Sequence, residues 1–308
     1  MSDATVAVRT ALALYPGRYR RERGDELIVV FADTTDGVGP VDKVRELFDL
    51  GAYGLRMRTG LTSTSRGGRL ATLAAPLVAG AAGGLAMGQV LLGYLTSGAS
   101  DEGSGLRYLL PHWALLVAAV LAAGAALAGR WTAAKLLAVV SALAAVVDLA
   151  VVASAPGAPQ PLWDFLYAFQ WDGPFVLWAL VLLAAPKDVL PVPTWRERAL
   201  LLAAAVLAPL AAFTDNVYTS WYELDPLWRA LMIAVPLLMA LAVVRDRYPV
   251  AVAGLAALPW TFSVNLHGLW QQEGGVWKLL PMAVATVAAA VALVLVARRK
   301  GPGGRLTA

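Results

Sequence analysis

The chain contains no cysteine, which excludes disulfides, thiol nucleophiles and thiolate metal sites. Histidine is almost missing too: His112 and His267 are the two in the sequence, too few to expect a structural zinc site. Charge is scarce. Only 15% of the 308 residues are charged, where a soluble domain carries about 25%. No G-x-x-x-x-G-K-[ST] phosphate loop, H-E-x-x-H helix, G-x-S-x-G elbow or kinase signature set occurs. No catalytic residue, cofactor or metal is therefore expected.

Apolar residues fill the gap. They make up 59% of the sequence, and the mean hydropathy is +0.64. A hydrocarbon core about 30 Å thick needs about 20 apolar residues of helix to cross it. The first long apolar run begins at Leu70, after a polar and charged stretch over 1–69. It is too long for the core of a signal peptide, so no cleavable signal is expected and the run reads as a first span. Eight spans are expected, near 70–96, 108–129, 136–155, 166–186, 199–219, 229–244, 249–270 and 279–297. The fourth and sixth are the weakest: one carries Asp172, Gly173 and Pro174, and the other is short between Arg229 and Arg245. The expected fold class is all-α, a polytopic membrane helical bundle behind a small three-helix cytoplasmic module. The expected division is a module over 1–59, a basic linker over 60–69, a membrane domain over 70–297 and a basic tail over 298–308.

The pI near 9.4 is not read as nucleic-acid binding, because the basic residues lie in short loops beside apolar runs. Such placement is an orientation signal. With the N-terminus inside, the inner flanks hold Arg56, Arg58, Arg66, Arg69, Arg130, Lys135, Lys187, Arg196, Arg198, Arg245, Arg247, Arg298, Arg299, Lys300 and Arg305. The outer flanks hold only Arg107, Arg229 and Lys278. That bias predicts a multi-pass protein of the cell membrane with both termini cytoplasmic. Tryptophans including Trp113, Trp163, Trp171, Trp221, Trp228, Trp270 and Trp277 gather at the outer boundary, where an apolar ring with one polar N–H is favoured.

Ahead of the spans, LYPGRYRRERGDE (14–26) is the densest charge cluster in the chain. Pro16-Gly17 ends a first helix. A second covers about 18–34 and a third starts near Pro40, a residue suited to a first helical position. Some sixty residues make a small core, so the module is expected to bury LIVVF against a membrane surface, another copy or a cytosolic protein. Tyr15, Tyr19, Arg20, Glu26, Leu27 and Phe31 are the expected partner-binding residues. Leu14, Tyr15, Pro16, Tyr19, Arg20, Gly24, Asp25 and Glu26, followed by LIVVFADTTDG and VDKVRELFDLGAYGLRMRTGL, resemble the start of a group of actinobacterial multi-pass membrane proteins. The likeness covers about the first sixty residues. It implies a membrane-anchored regulatory or scaffold protein whose module binds a cytosolic partner, similar in layout to membrane-anchored regulators such as anti-sigma factors.

A second reading rests on polar residues in or near the spans. Asp148 sits within AAVVDLAVV. An ionised carboxylate in a bilayer costs about 2.5–3.5 kcal/mol, so it is expected to be protonated, paired or facing water. Asp215, Asn216, Asn265 and His267, with acidic and aromatic neighbours, lie toward the outer ends of later spans. They could line an outward pocket of a small-solute transporter, with carboxylates and ring faces holding a cation. The alternative is an aromatic belt with acidic outer loops and no ligand. Gly80, Gly84 and Gly88 fall four apart, a spacing suited to close helix packing within the chain or in a homo-oligomer.

Overall fold

The computed structural model describes residues 3–96, 106–154, 161–186, 189–190, 192–219 and 226–271. Every regular element among them is helical: α1 (Asp3–Leu12), α2 (Gly17–Thr35), α3 (Pro40–Thr59), α4 (Arg66–Thr96), α5 (Leu106–Leu127), α6 (Trp131–Ala153), α7 (Pro161–Ala184), α8 (Trp195–Thr219), α9 (Pro226–Leu241) and α10 (Tyr248–Gln271), with a 3-10 turn over Ala242–Arg245. The chain divides into two compact units, Met1–Arg69 and Leu70–Ala308.

In the first unit α1 packs on both α2 and α3. Its centre is Val8, Leu12 and Tyr15, surrounded by Tyr19, Leu27, Ile28, Phe31, Leu47, Leu50 and Met57. Tyr15 is the pin. Its hydroxyl donates to the Leu50 carbonyl at 3.0 Å, and its ring stacks on Tyr19 at 5.6 Å. The face of the ring rests on α3 at Gly54, where a Cβ would collide with it. α3 begins with Pro40 and ends at Gly60, whose φ of 73° is a left-handed value that glycine adopts without strain. The charge cluster lies on the open side of α2. Arg18 pairs with Glu22 at 2.9 Å and Arg23 with Glu26 at 2.7 Å, all well exposed. Water screens pairs this exposed, so they add little to the helix.

Among the described residues three stretches are long and apolar enough to cross a membrane: Arg66–Leu91, Leu110–Leu127 and Trp131–Ala153. The apolar parts of α7 and α9, Ala168–Ala184 and Ala234–Arg245, are shorter. Run 279–297, expected as an eighth span, lies outside the described residues. The first of the three stretches is mostly buried in protein, whereas the other two leave most of their apolar residues facing outward. An outward-facing apolar helix is stable only in an apolar surround.

Small residues set the packing. Gly80, Gly84 and Gly88 of α4 meet Leu201, Ala205 and Pro209 of α8, so closely that a Cβ at any of the three would strike α8. Gly83 meets Ala123 of α5 in the same way. The glycine spacing is thus used inside one chain. α5 and α6 form an antiparallel pair around Gly129, which takes φ 75° while Arg130 N–H bonds back to the Ala125 carbonyl at 2.8 Å. α6 packs on α7, α7 on α10 and α10 on α9. Polar pins cross these contacts: Ser141 Oγ donates to the Leu115 carbonyl at 3.1 Å, and Trp178 Nε1 to the Ala256 carbonyl at 2.8 Å. Lys135, in the first turn of α6, donates to the Ala185 carbonyl just past α7, where helix carbonyls lack partners and positive charge is favoured. Thr194 and Glu197 cap α8 reciprocally, Thr194 N–H reaching Glu197 Oε2 at 2.7 Å.

Candidate functional site: a histidine and two aspartates between helices

α5, α6 and α7 each bring one titratable side chain to a common point. His112 comes from the second turn of α5, Asp148 from the last turns of α6 and Asp172 from the middle of α7. Their ligating atoms all lie within 4.8 Å of one another. His112 Nδ1 stands 3.3 Å from Asp148 Oδ2; with the proton on Nδ1 the ring donates to the carboxylate. A carboxylate oxygen of Asp148 and one of Asp172 lie within 4.8 Å of each other. Both aspartates are buried, at 7% and 3% exposure, while His112 remains partly open.

The setting makes this arrangement consequential. Two carboxylates this close repel each other, and an apolar surround gives that repulsion little screening. A proton, the imidazolium or a metal cation between them relieves it. A buried group of three sites therefore changes its net charge by one unit with each proton gained or lost. The donor set of one imidazole and two carboxylates also suits a divalent metal ion of the zinc, manganese or iron type.

Neighbouring packing holds the three groups in place. Ser141, two helical turns before Asp148, ties α6 to α5. On α7, Trp171 packs against Trp260 of α10 with ring centroids 5.9 Å apart. Phe175 and Trp178 lie edge to face at 6.1 Å. Gly173 sits beneath the Phe169 ring, where a Cβ would crowd it.

Asp148 was expected to be protonated, paired or facing water; it stands in a group of three. His112 and Asp172 were noted in the sequence as separate boundary residues, with nothing to join them. One signal does exist. His112 precedes the Gly129 turn by about as many residues as Asp148 follows it, so antiparallel pairing of α5 and α6 brings them to one depth. Asp215 and Asn216 lie near the end of α8, and Asn265 and His267 near the end of α10. Their side chains are outside the described part of the structure, as are those of Trp163 and Asp164.

The expected partner-binding residues of the first unit separate into two groups. Tyr15 is buried, and Tyr19, Leu27 and Phe31 pack around it as the unit's own core. Arg20 and Glu26 are exposed, with Glu26 bonded to Arg23. Among the described apolar side chains Leu14 is open, and Val29, Val30, Val44, Tyr53 and Leu55 are each about half exposed.

No family profile, curated protein sequence or solved structure matches the chain.

Proposed function

We propose that this chain is a multi-pass integral membrane protein, with eight spans and both termini cytoplasmic, that transports a small cation or couples solute movement to one. The observation that carries the reading is the His112–Asp148–Asp172 cluster: three titratable groups brought together from three consecutive helices, two of them long and apolar enough to cross a membrane. Ionisable residues at such depth are costly, and they characterise ion and proton pathways. His112 is the open member and forms the entrance. Asp148 and Asp172 form the buried seat, where an arriving cation exchanges water for carboxylate oxygen and imidazole nitrogen. The charge bias of the loops supports the orientation.

The test is flux into vesicles of the reconstituted full chain, read for protons with a trapped pH dye and for Mn2+ with a trapped fluorescent chelator. Asp148→Asn and Asp172→Asn should each lower the active flux at least tenfold, and His112→Gln should lower it less. Because the native chain has no cysteine, single cysteines in the connecting loops of the same preparation report which side each loop faces. Flux of both cations no faster than in empty vesicles, or unchanged in both aspartate variants, would sink the reading.

A second reading keeps the first unit as the working part: a membrane-anchored regulator docking a cytosolic protein, as the resemblance of residues 14–26 implies. What favours it is the open apolar group of Val29, Val30, Val44, Tyr53 and Leu55 beside a solvated charge face. Val29→Ser with Val30→Ser should then abolish co-purification of one soluble protein with the full chain while membrane insertion is unchanged. Undiminished co-purification would count against it.

A further inference from the structure

A cavity of about 480 Å³ lies between α4 and α8, with Trp171 of α7 at one side. Met87, Leu91, Val206 and Leu210 frame its mouth, and each is more than half exposed. Its lining contains no charged residue. Pro209 lacks an N–H and so frees the Ala205 carbonyl from the α8 ladder, but that oxygen faces Gly84 and is covered by it. Among the described lining residues, polar side-chain groups come from Gln89 and the indole N–H of Trp171. Gln89 lines the cavity, and both its amide nitrogen and its amide oxygen are buried without a hydrogen-bond partner.

An unpaired primary amide is an uncommon thing to find inside a protein, because buried polar groups are nearly always satisfied. Here two donors and an acceptor stand unused beside an apolar space that opens sideways. A charged ligand is disfavoured, since no lining group would compensate its desolvation. A purely apolar ligand would leave the amide unpaired. We propose that this cavity binds an uncharged long-chain amphiphile whose head group offers both a donor and an acceptor, of the fatty-amide or monoacylglycerol class. The Gln89 amide is covered in this structure; rotation of its side chain turns it onto the head group, and the α4–α8 groove holds the start of the chain. The sideways mouth admits the ligand from the hydrocarbon layer. Because Trp171 precedes Asp172 on α7, an occupant also rests against the helix that carries the buried carboxylate.

The experiment uses the full chain in phosphatidylcholine nanodiscs and a fatty amide carrying a diazirine near its head. After irradiation, label should concentrate in Gly84–Leu91 and Ala205–Ala212, and unlabelled fatty amide should compete it away. Gln89→Met keeps the shape of the side chain but lacks the amide, and should reduce labelling at least tenfold. Val206→Trp fills the mouth and should do the same. Both variants are first matched to the parent by elution profile and melting temperature, and the Met variant carries the test if the Trp variant fails that match. Equal labelling of parent and Gln89→Met would overturn the proposal. So would equal labelling by a phosphatidylcholine bearing the same diazirine, which would make the groove a general hydrocarbon contact. A quantitative disulfide between cysteines placed at Val206 and within run 279–297 would overturn it as well, by giving the groove to the chain itself.

Discussion

Tyr15 shows how much of the first unit hangs on one side chain. Its ring is buried against Gly54 and its hydroxyl is committed to the Leu50 carbonyl. Burial, followed by the nearby Tyr19 and Tyr53 hydroxyls, pushes its pKa up to about 12 from 10.0. The folded unit therefore favours the neutral phenol. That contribution is complete below pH 10 and is lost progressively as pH rises from 10 toward 12, because the unfolded chain releases the proton first. One of the nine tyrosines should thus ionise late in an absorbance titration at 295 nm, and Tyr15→Phe should remove that step. At neutral pH the same variant should cost the unit about 0.5–1.5 kcal/mol for the missing hydrogen bond, read as faster proteolysis within residues 3–59. A titration in which all tyrosines ionise together would contradict the buried placement. The sequence marked Tyr15 through the Tyr-Pro-Gly break, yet the partner that decides its role, Gly54, lies on another helix. Local spacing cannot show such a contact, which is why Tyr15, Tyr19, Leu27 and Phe31 read as a docking face when they are core.

Helices were the most legible level. Uncharged runs indicated the long helices, and turn chemistry indicated the break at Pro16-Gly17 and the start of α3 at Pro40; the ends at Gly60, Gly129 and Thr194 came from the structure. Their partners were less legible. The glycines of α4 announce close packing but do not say against what. The structure answers with α8, and that answer is testable. A larger side chain at Gly84 must push α4 and α8 apart, because it meets Ala205 backbone. Gly84→Leu should destabilise the full chain by at least about 2–3 kcal/mol, the upper end of the usual overpacking cost, measured by unfolding in mixed micelles. Gly124→Leu on α5 is the control, since nothing lies within 4 Å of a Cβ there; it should stay within about 0.5 kcal/mol. Equal losses in the two variants would show that the stripe is not a seam.

At the scale of the molecule, the composition pointed to the membrane class, and the three described helices long and apolar enough to cross a membrane are compatible with it. The polar cluster was not. A histidine and two aspartates far apart in sequence become neighbours only through the register of α5 on α6 and α6 on α7, and register depends on side-chain fit that periodicity does not carry. Gln89 was hidden for a different reason: directly after AGAAGGLAMG (79–88) it reads as one polar residue closing a small-residue run, and its unpaired state exists only once α8 has closed over the neighbouring glycines.

The α4–α8 seam also says where this molecule can bend. Helices that meet through side chains slide a little at a time by exchanging rotamers. Gly80, Gly84 and Gly88 have no rotamers to exchange, and the Pro209 ring seated on Gly88 acts as a tooth in a notch. The pair shifts by a whole turn or stays fixed, so it behaves as a post. The transport proposed above then calls for movement of α5, α6 and α7 relative to that post, past the small-residue contact of Gly83 with Ala123.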